Sequence, residues 1–171
     1  LSMADRIAVM DQGRVCQVAT PAELYEFPTT RFVADFIGSV NLFEGAVTQV
    51  KADVITVRAP ILPEPVTIIQ DKWVAVGAKV WVAVRPEKID IFKLDDGDAG
   101  RGNPVNSVAG VIEEITYLGD LSIYHVRIAD EPDGLVKVTA PNFARITARP
   151  FTWDDRVRLS WAGEASVVLE S

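Results

Sequence analysis

One histidine, His125, one cysteine, Cys16, and two adjacent glutamates, Glu113-Glu114, are the residues of this sequence to which catalysis would first be assigned. His125 lies inside an alternating apolar stretch. No serine, cysteine or second histidine suggests a triad around it, so a packed or half-exposed strand residue is favoured over a general base. Glu113-Glu114 could form a carboxylate pair. Adjacent strand side chains point to opposite faces, however, so a solvated edge or a bulge fits them better than a shared substrate. One cysteine and one histidine leave few soft ligands for zinc. A lone thiol makes no internal disulfide, which suits a reducing compartment. The sequence therefore offers no catalytic, cofactor-binding or metal-binding residue.

Binding chemistry is equally sparse. A phosphate loop needs backbone amides around the phosphates, a lysine and a Ser or Thr, and Gly-x-x-x-x-Gly-Lys-[Ser/Thr] occurs nowhere in the chain. Asp96-Gly97-Asp98-Ala99-Gly100-Arg101-Gly102 has the glycines, but its carboxylates repel phosphate and no helical pattern follows. It reads as a surface loop, as does the whole Asp/Gly/Asn-rich run from Asp95 to Asn106. Arg85-Pro86-Glu87 could hold a ligand carboxylate or phosphate through Arg85. A structural turn is preferred, with Pro86 fixing φ and Arg85 and Glu87 making local polar bonds. Trp73, Trp81, Trp153 and Trp161 could stack bases. Trp81 and Trp161 sit in apolar strands as core residues would. The chain also carries 24 acidic against 17 basic side chains, a net charge of -7. Polynucleotide binding draws on Lys and Arg that displace counterions, so nucleic acid is not an expected partner. Asp95, Asp96, Asp98 and Asp130, Glu131, Asp133 concentrate negative charge in two loops that could draw a cation, although soluble turns share that composition.

No run approaches the ~18 apolar residues of a spanning helix, and the start has no signal-peptide character. The expectation is a cytoplasmic protein without direct membrane insertion. A start at Leu1 rather than at a methionine predicts a fragment of a longer chain.

The elements divide at about residue 38. Before it, Arg6 to Met10 and Val15 to Val18 flank Asp11-Gln12-Gly13-Arg14, a hairpin whose glycine can take positive φ. Thr20-Pro21-Ala22-Glu23 is a helix start: Thr20 caps, Pro21 takes the first position and Glu23 completes a capping box. Pro28 stops that helix. A second helix begins near Thr29 or Thr30, carries Phe32, Val33, Phe36 and Ile37 as one apolar stripe, and ends at Gly38. After Asn41 the signals are almost purely β. Strands are expected at residues 45–50, 54–58, 66–69, 79–85, 109–118, 121–128, 135–138, 157–161 and 166–169, with an irregularity at Glu113-Glu114. Short strands at this spacing indicate a barrel or sandwich. Residues 77–91 and 155–169 share a pattern of Trp-containing strand, turn with glutamate (Glu87, Glu164) and second strand. Two barrel-like halves would produce it, as would coincidence.

Residues 4–14, Ala4-Asp5-Arg6-Ile7-Ala8-Val9-Met10-Asp11-Gln12-Gly13-Arg14, resemble the stretch after the switch histidine in ATP-binding subunits of ABC importers. Thr20-Pro21-Ala22-Glu23-Leu24-Tyr25-Glu26-Phe27-Pro28 and Thr30-Arg31-Phe32-Val33-Ala34-Asp35-Phe36-Ile37-Gly38 resemble the helix and linker that follow there. Val84-Arg85-Pro86-Glu87-Lys88-Ile89 is similar to the Arg-Pro-Glu turn of the appended transport-associated (TOBE) domain, and residues 117–126 to a second segment of it. Ser39-Val40-Asn41-Leu42-Phe43-Glu44-Gly45 looks most like the putrescine and spermidine importers.

The resemblance implies a mainly β fold. Residues 1–38 would be the C-terminal remnant of an ABC nucleotide-binding domain and its linker, and residues 39–171 an oligonucleotide-binding-like (OB-like) β-barrel accessory domain. It implies an accessory role in a polyamine importer, not catalytic by itself, with ATP and Mg held only by the full-length parent. The implied partners are a second copy of the subunit and membrane permease subunits, at the inner face of the cell membrane. A small-ligand sensor, for an oxyanion or a polyamine, in an importer of another substrate such as iron or sulfate is the alternative.

Overall fold

The computed structural model describes residues 3–94, 106–142 and 151–171. The loop expected over residues 95–105, with Asp95, Asp96 and Asp98, lies outside them. Asn106, expected to end that loop, is instead a buried residue that opens a strand.

The chain opens with a hairpin of β1 (Ile7–Asp11) and β2 (Arg14–Ala19). Its two-residue turn has Gln12 at φ 50 and Gly13 at φ 77. Two positive φ values in succession match the right-handed twist of the flanking strands, and glycine removes the steric cost at the second position. Helices α1 (Pro21–Glu26) and α2 (Arg31–Ile37) follow. Val9, Ala19, Leu24 and Val33 form a small core between hairpin and helices. Gln17 braces the break at Pro28: its amide nitrogen donates to Phe27 O at 3.0 Å and its oxygen accepts from Thr29 N at 2.9 Å.

The β region is built from two copies of one plan. The first half contributes β3 (Asn41–Lys51), β4 (Val54–Arg58), β5 (Val66–Ile69), β6 (Lys79–Val84), a 3-10 helix at Pro86–Lys88 and β7 (Asp90–Lys93). The second contributes β8 (Asn106–Tyr117), β9 (Leu121–Arg127), β10 (Leu135–Pro141), β11 (Arg156–Trp161), a 3-10 helix at Gly163–Ala165 and β12 (Ser166–Leu169). The sheet orders are β12-β6-β3-β4-β5 and β10-β9-β8-β11-β7. Each half thus gives its fifth strand to the other sheet. The exchange is matched in register: Asp90 lies opposite Ser160, and Val167 opposite Ala83.

Smaller features repeat at the same spacing. Strand β3 slips register between Val47 and Gln49, and β8 between Ile112 and Glu114. The second slip is the irregularity expected at the paired glutamates. It places Glu113 and Glu114 both at the surface, because a bulge breaks the alternation that would have separated them. Arg127 then takes Glu113 in a two-pronged ion pair. Gly45 and Gly110 stand just before the bulges, where a Cβ would lie 2.4 Å from Arg58 O and 2.6 Å from Val126 Cγ1. The shared pattern of residues 77–91 and 155–169 therefore reflects a repeated architecture.

One continuous core lies between the sheets, drawing Phe43, Val57, Ile68, Val82, Ile112, Val126, Val138 and Leu159 from both halves. Trp161 is part of it, its ring stacked 6.0 Å from Phe43. Trp81 is not. On β6 the residues Val80, Val82 and Val84 point inward, and Trp81 faces outward, half-buried, under the Arg31 guanidinium at 3.7 Å. An apolar run alone did not distinguish the inner face from an outer face covered by a helix.

Two buried asparagines lock the halves together. Asn41 exchanges hydrogen bonds with both backbone groups of Lys137 on β10, at 2.8 and 2.9 Å. Asn106 does the same with Thr67 on β5, at 2.9 and 2.8 Å. Each side-chain amide stands in for a neighbouring strand at a sheet edge.

Candidate functional site

Arg85 follows the last residue of β6, with the backbone still extended at φ -70 and ψ 140. Pro86 then starts the 3-10 turn, a position suited to its fixed φ and missing N–H. Lys88 N returns to Arg85 O at 3.0 Å, and the chain crosses to the opposite sheet as β7. This corner holds Arg85 rigidly beneath the two helices, only 5% exposed.

Its guanidinium is spent on backbone carbonyls. Nη1 donates to Ala34 O at 2.9 Å, Gly38 O at 2.9 Å and Ser39 O at 3.1 Å. Nη2 donates to Tyr25 O at 3.2 Å, and the planar group lies over the Tyr25 ring at 4.4 Å. The polar bonds expected here were local ones, and the actual partners lie in α1, α2 and the segment after them. The fork is also no free anion site. Burial pushes the guanidinium below its usual pKa, while Glu26 and Asp35 push it back up, and an arginine in such a balance stays charged. Lys88 forms an ion pair with Glu26 beside it. Glu87 is exposed.

Apolar contacts complete the joint. Ala34 is fully buried against Ala83 and Leu169, with Val40, Leu42, Trp81 and Val167 around them. Arg31 N donates to Ser171 O at 2.8 Å. A small cleft at the edge is lined by Glu26, Phe27, Pro28, Arg85, Lys88 and Glu164. The outer surface of the helices is apolar and open: Phe27 and Phe36 are 61% and 66% exposed, and Phe32 stacks on Phe36.

Local chemistry fixes the helix starts. Thr20 Oγ1 accepts from Glu23 N at 3.2 Å, Glu23 Oε2 accepts from Thr20 N at 2.9 Å, and Pro21 is the first helical residue. Those reciprocal bonds, the Thr20 backbone first, hold the Glu23 carboxyl below its usual pKa, with Arg6 adding to them. Thr30 caps α2 through Val33 N at 3.2 Å.

The other residues singled out by type stand apart from this joint. His125, half-buried on β9, lies between Glu114 and Lys137 on the flanking strands. Asp130, Glu131 and Asp133 sit in an exposed turn where Glu131 O accepts from Arg127 at 3.0 Å. Among the described residues no group of three His, Cys, Asp or Glu side chains could hold a metal ion, and no helix is long and apolar enough to cross a membrane. Tyr25, Lys88 and the two clamping asparagines were not legible as partners. The only signal was a polar residue opening an apolar strand.

An OB-like β module of two exchanged halves, with a helical segment clasped to its outer face, is the class of structure these features define. The TOBE domain family matches residues 82–169, and the chain belongs to it.

The chain is 39% identical, over 99% of its length, to the putrescine transport ATP-binding protein PotG of Escherichia coli, of which it covers 43%. It is 36% identical over 99% of its length to the spermidine/putrescine import ATP-binding protein PotA of Fusobacterium nucleatum, covering 46% of that protein. It is 34% identical over 99% to the Treponema pallidum protein of that name, covering 45%. It thus spans less than half the length of these relatives. Among solved structures, the cytoplasmic molybdate-binding protein ModG, with molybdate bound, superposes with a TM-score of 0.59 at 11% identity. That match covers 75% of this chain and 94% of ModG, and it speaks for the OB-like fold alone.

Proposed function

We propose that the chain is the C-terminal accessory part of the ATP-binding subunit of a polyamine importer of the putrescine/spermidine class. The observation that carries this is the extent of the likeness to PotG and PotA, which runs through both the helical segment and the β module. In this reading ATP and Mg are bound elsewhere in the subunit, because the chain has no phosphate-loop sequence. The helical segment connects that ATP-binding part to the TOBE module. The module supports pairing with a second copy, and permease subunits hold the assembly at the cytoplasmic face of the membrane.

Uptake of labelled putrescine and spermidine by cells lacking the gene tests the substrate class. Uptake is expected to fall. Unchanged polyamine uptake with loss of iron or sulfate uptake would reassign the importer. In parallel, MgATP titrated into the 171-residue chain is expected to give no saturable heat, and micromolar saturable binding refutes the accessory role.

A further inference from the structure

We propose that Arg85 is the positioning residue of the joint: from the β module it supplies the C-terminal cap that α2 cannot make for itself, so the end of α2 is ordered only while docked. The last carbonyls of a helix need partners. A terminal glycine usually supplies them by turning left-handed and folding its own amides back. Gly38 does not: it is extended, at φ 177 and ψ 176, and its single return bond to Ala34 O is long at 3.4 Å. Neither α1 nor α2 has a basic residue in its last turn, although a cation there offsets the negative end of the helix dipole. Arg85 meets both needs at once. It bonds the carbonyl of Ala34 in the last turn of α2, those of Gly38 and Ser39 just after it, and that of Tyr25 near the end of α1.

One guanidinium therefore sets the angle of two helices on the β module. Without it, Ala34 against Leu169 and Arg31 over Trp81 remain, so the segment loosens and tilts while still attached. A lysine has one ammonium and no planar fork. It cannot span Tyr25 O and Ser39 O together, so Arg85→Lys is a partial loss. The consequence for transport rests on the reading above: in a subunit whose ATP-binding part continues into this segment, Arg85 fixes how the TOBE module is carried.

Amide hydrogen exchange on the 171-residue chain tests the clasp. In Arg85→Ala the amides of α2 and of residues 38–40 are expected to exchange at least about tenfold faster. Arg85→Lys falls between, Lys88→Ala stays within about twofold of wild type, and β3–β6 and β8–β12 are unchanged. Exchange in α2 within about twofold of wild type overturns the proposal, as does acceleration spread evenly through the β strands. Should Arg85→Ala fail to fold, Arg85→Lys decides by the same criterion.

In the whole subunit with its permease, Arg85→Lys is expected to lower polyamine uptake per ATP hydrolysed at unchanged KM for ATP. Unchanged coupling overturns the positioning role. A wild-type subunit that moves no polyamine counts against the polyamine reading and leaves the exchange result standing.

Discussion

Replacing Asn106 tests whether the two halves are held by their reciprocal amide clamps. The side chain is 3% exposed, and it satisfies both backbone groups of Thr67 at 2.8 and 2.9 Å. Asn106→Ala removes both bonds and leaves an N–H and a C=O at the edge of β5 without partners. An orphaned buried polar group costs about 1–3 kcal/mol, so the pair should cost roughly 4 kcal/mol, independent of pH. Asn106→Asp is the sharper probe. One carboxyl oxygen can still accept from Thr67 N, but the other meets Thr67 O, which a carboxylate repels and a protonated acid can bond. Its folded pKa is therefore raised above the unfolded value of about 3.9. With the folded state holding its proton more tightly, stability relative to wild type is greatest below about pH 3.9, falls as pH rises through the folded pKa, and is flat above it. Urea unfolding followed by far-ultraviolet circular dichroism, wild type against both variants at about pH 3 and pH 7, reads this directly. Asn41→Ala, which strips Lys137 in the other sheet, supplies an independent repeat. A loss under about 1 kcal/mol for Asn106→Ala, or an Asn106→Asp deficit that does not grow with pH, refutes the clamp reasoning.

Two further outcomes follow from the geometry. Gly45→Ala drives a Cβ to 2.4 Å from Arg58 O, whereas at Gly38 the nearest atom would be 3.6 Å away; the same urea melts should show a loss of about 1–3 kcal/mol for the first and within about 0.5 kcal/mol for the second, and equal values would contradict the packing account. The Glu23 carboxyl is held below its usual pKa by its bonds to Thr20, so its contribution is full above its unfolded pKa and lost as pH falls through the lower folded one. Thermal melts should show an advantage of wild type over Glu23→Gln that is constant above about pH 5 and fades below about pH 4; an advantage that persists in acid contradicts it.

What could be read from the sequence was whatever is encoded by neighbours along the chain. The hairpin turn at Gln12-Gly13, the capping box at Thr20 and the stop at Pro28 each depend on three or four consecutive residues. Alternation located β4, β5 and β12 to the residue, and two adjacent glutamates betrayed the bulge in β8. Errors arose where the deciding partner was distant. Strand β3 starts at Asn41 rather than Gly45 because β6 pairs with those extra residues. Trp81 looked like core because a helix from another part of the chain covers its face. Arg85 looked like a local turn residue because its four acceptors lie some fifty residues upstream and are backbone atoms, which no side-chain pattern records.

The same distinction between local and distant ties separates a stiff part of the molecule from a compliant one. At the ends of the two five-stranded sheets the outer edges of β5, β10 and β12 are engaged. Asn106 takes β5, Asn41 takes β10, and Gln70 Oε1 with Lys72 Nζ takes both backbone groups of Val168 on β12 at 2.9 and 2.8 Å. Because each half has also given its fifth strand away, neither can open without opening the other. The β region should then unfold as one cooperative unit, and an edge so occupied is closed to strand addition from another chain. Among the described residues, 7–37 have no such interlock: the apolar patch around Ala34, Arg31 on Trp81 and Ser171, the Lys88–Glu26 ion pair and the carbonyls gathered around Arg85 tie them to the rest. Motion between the two parts is therefore concentrated at a joint whose polar contacts centre on the Arg85 guanidinium.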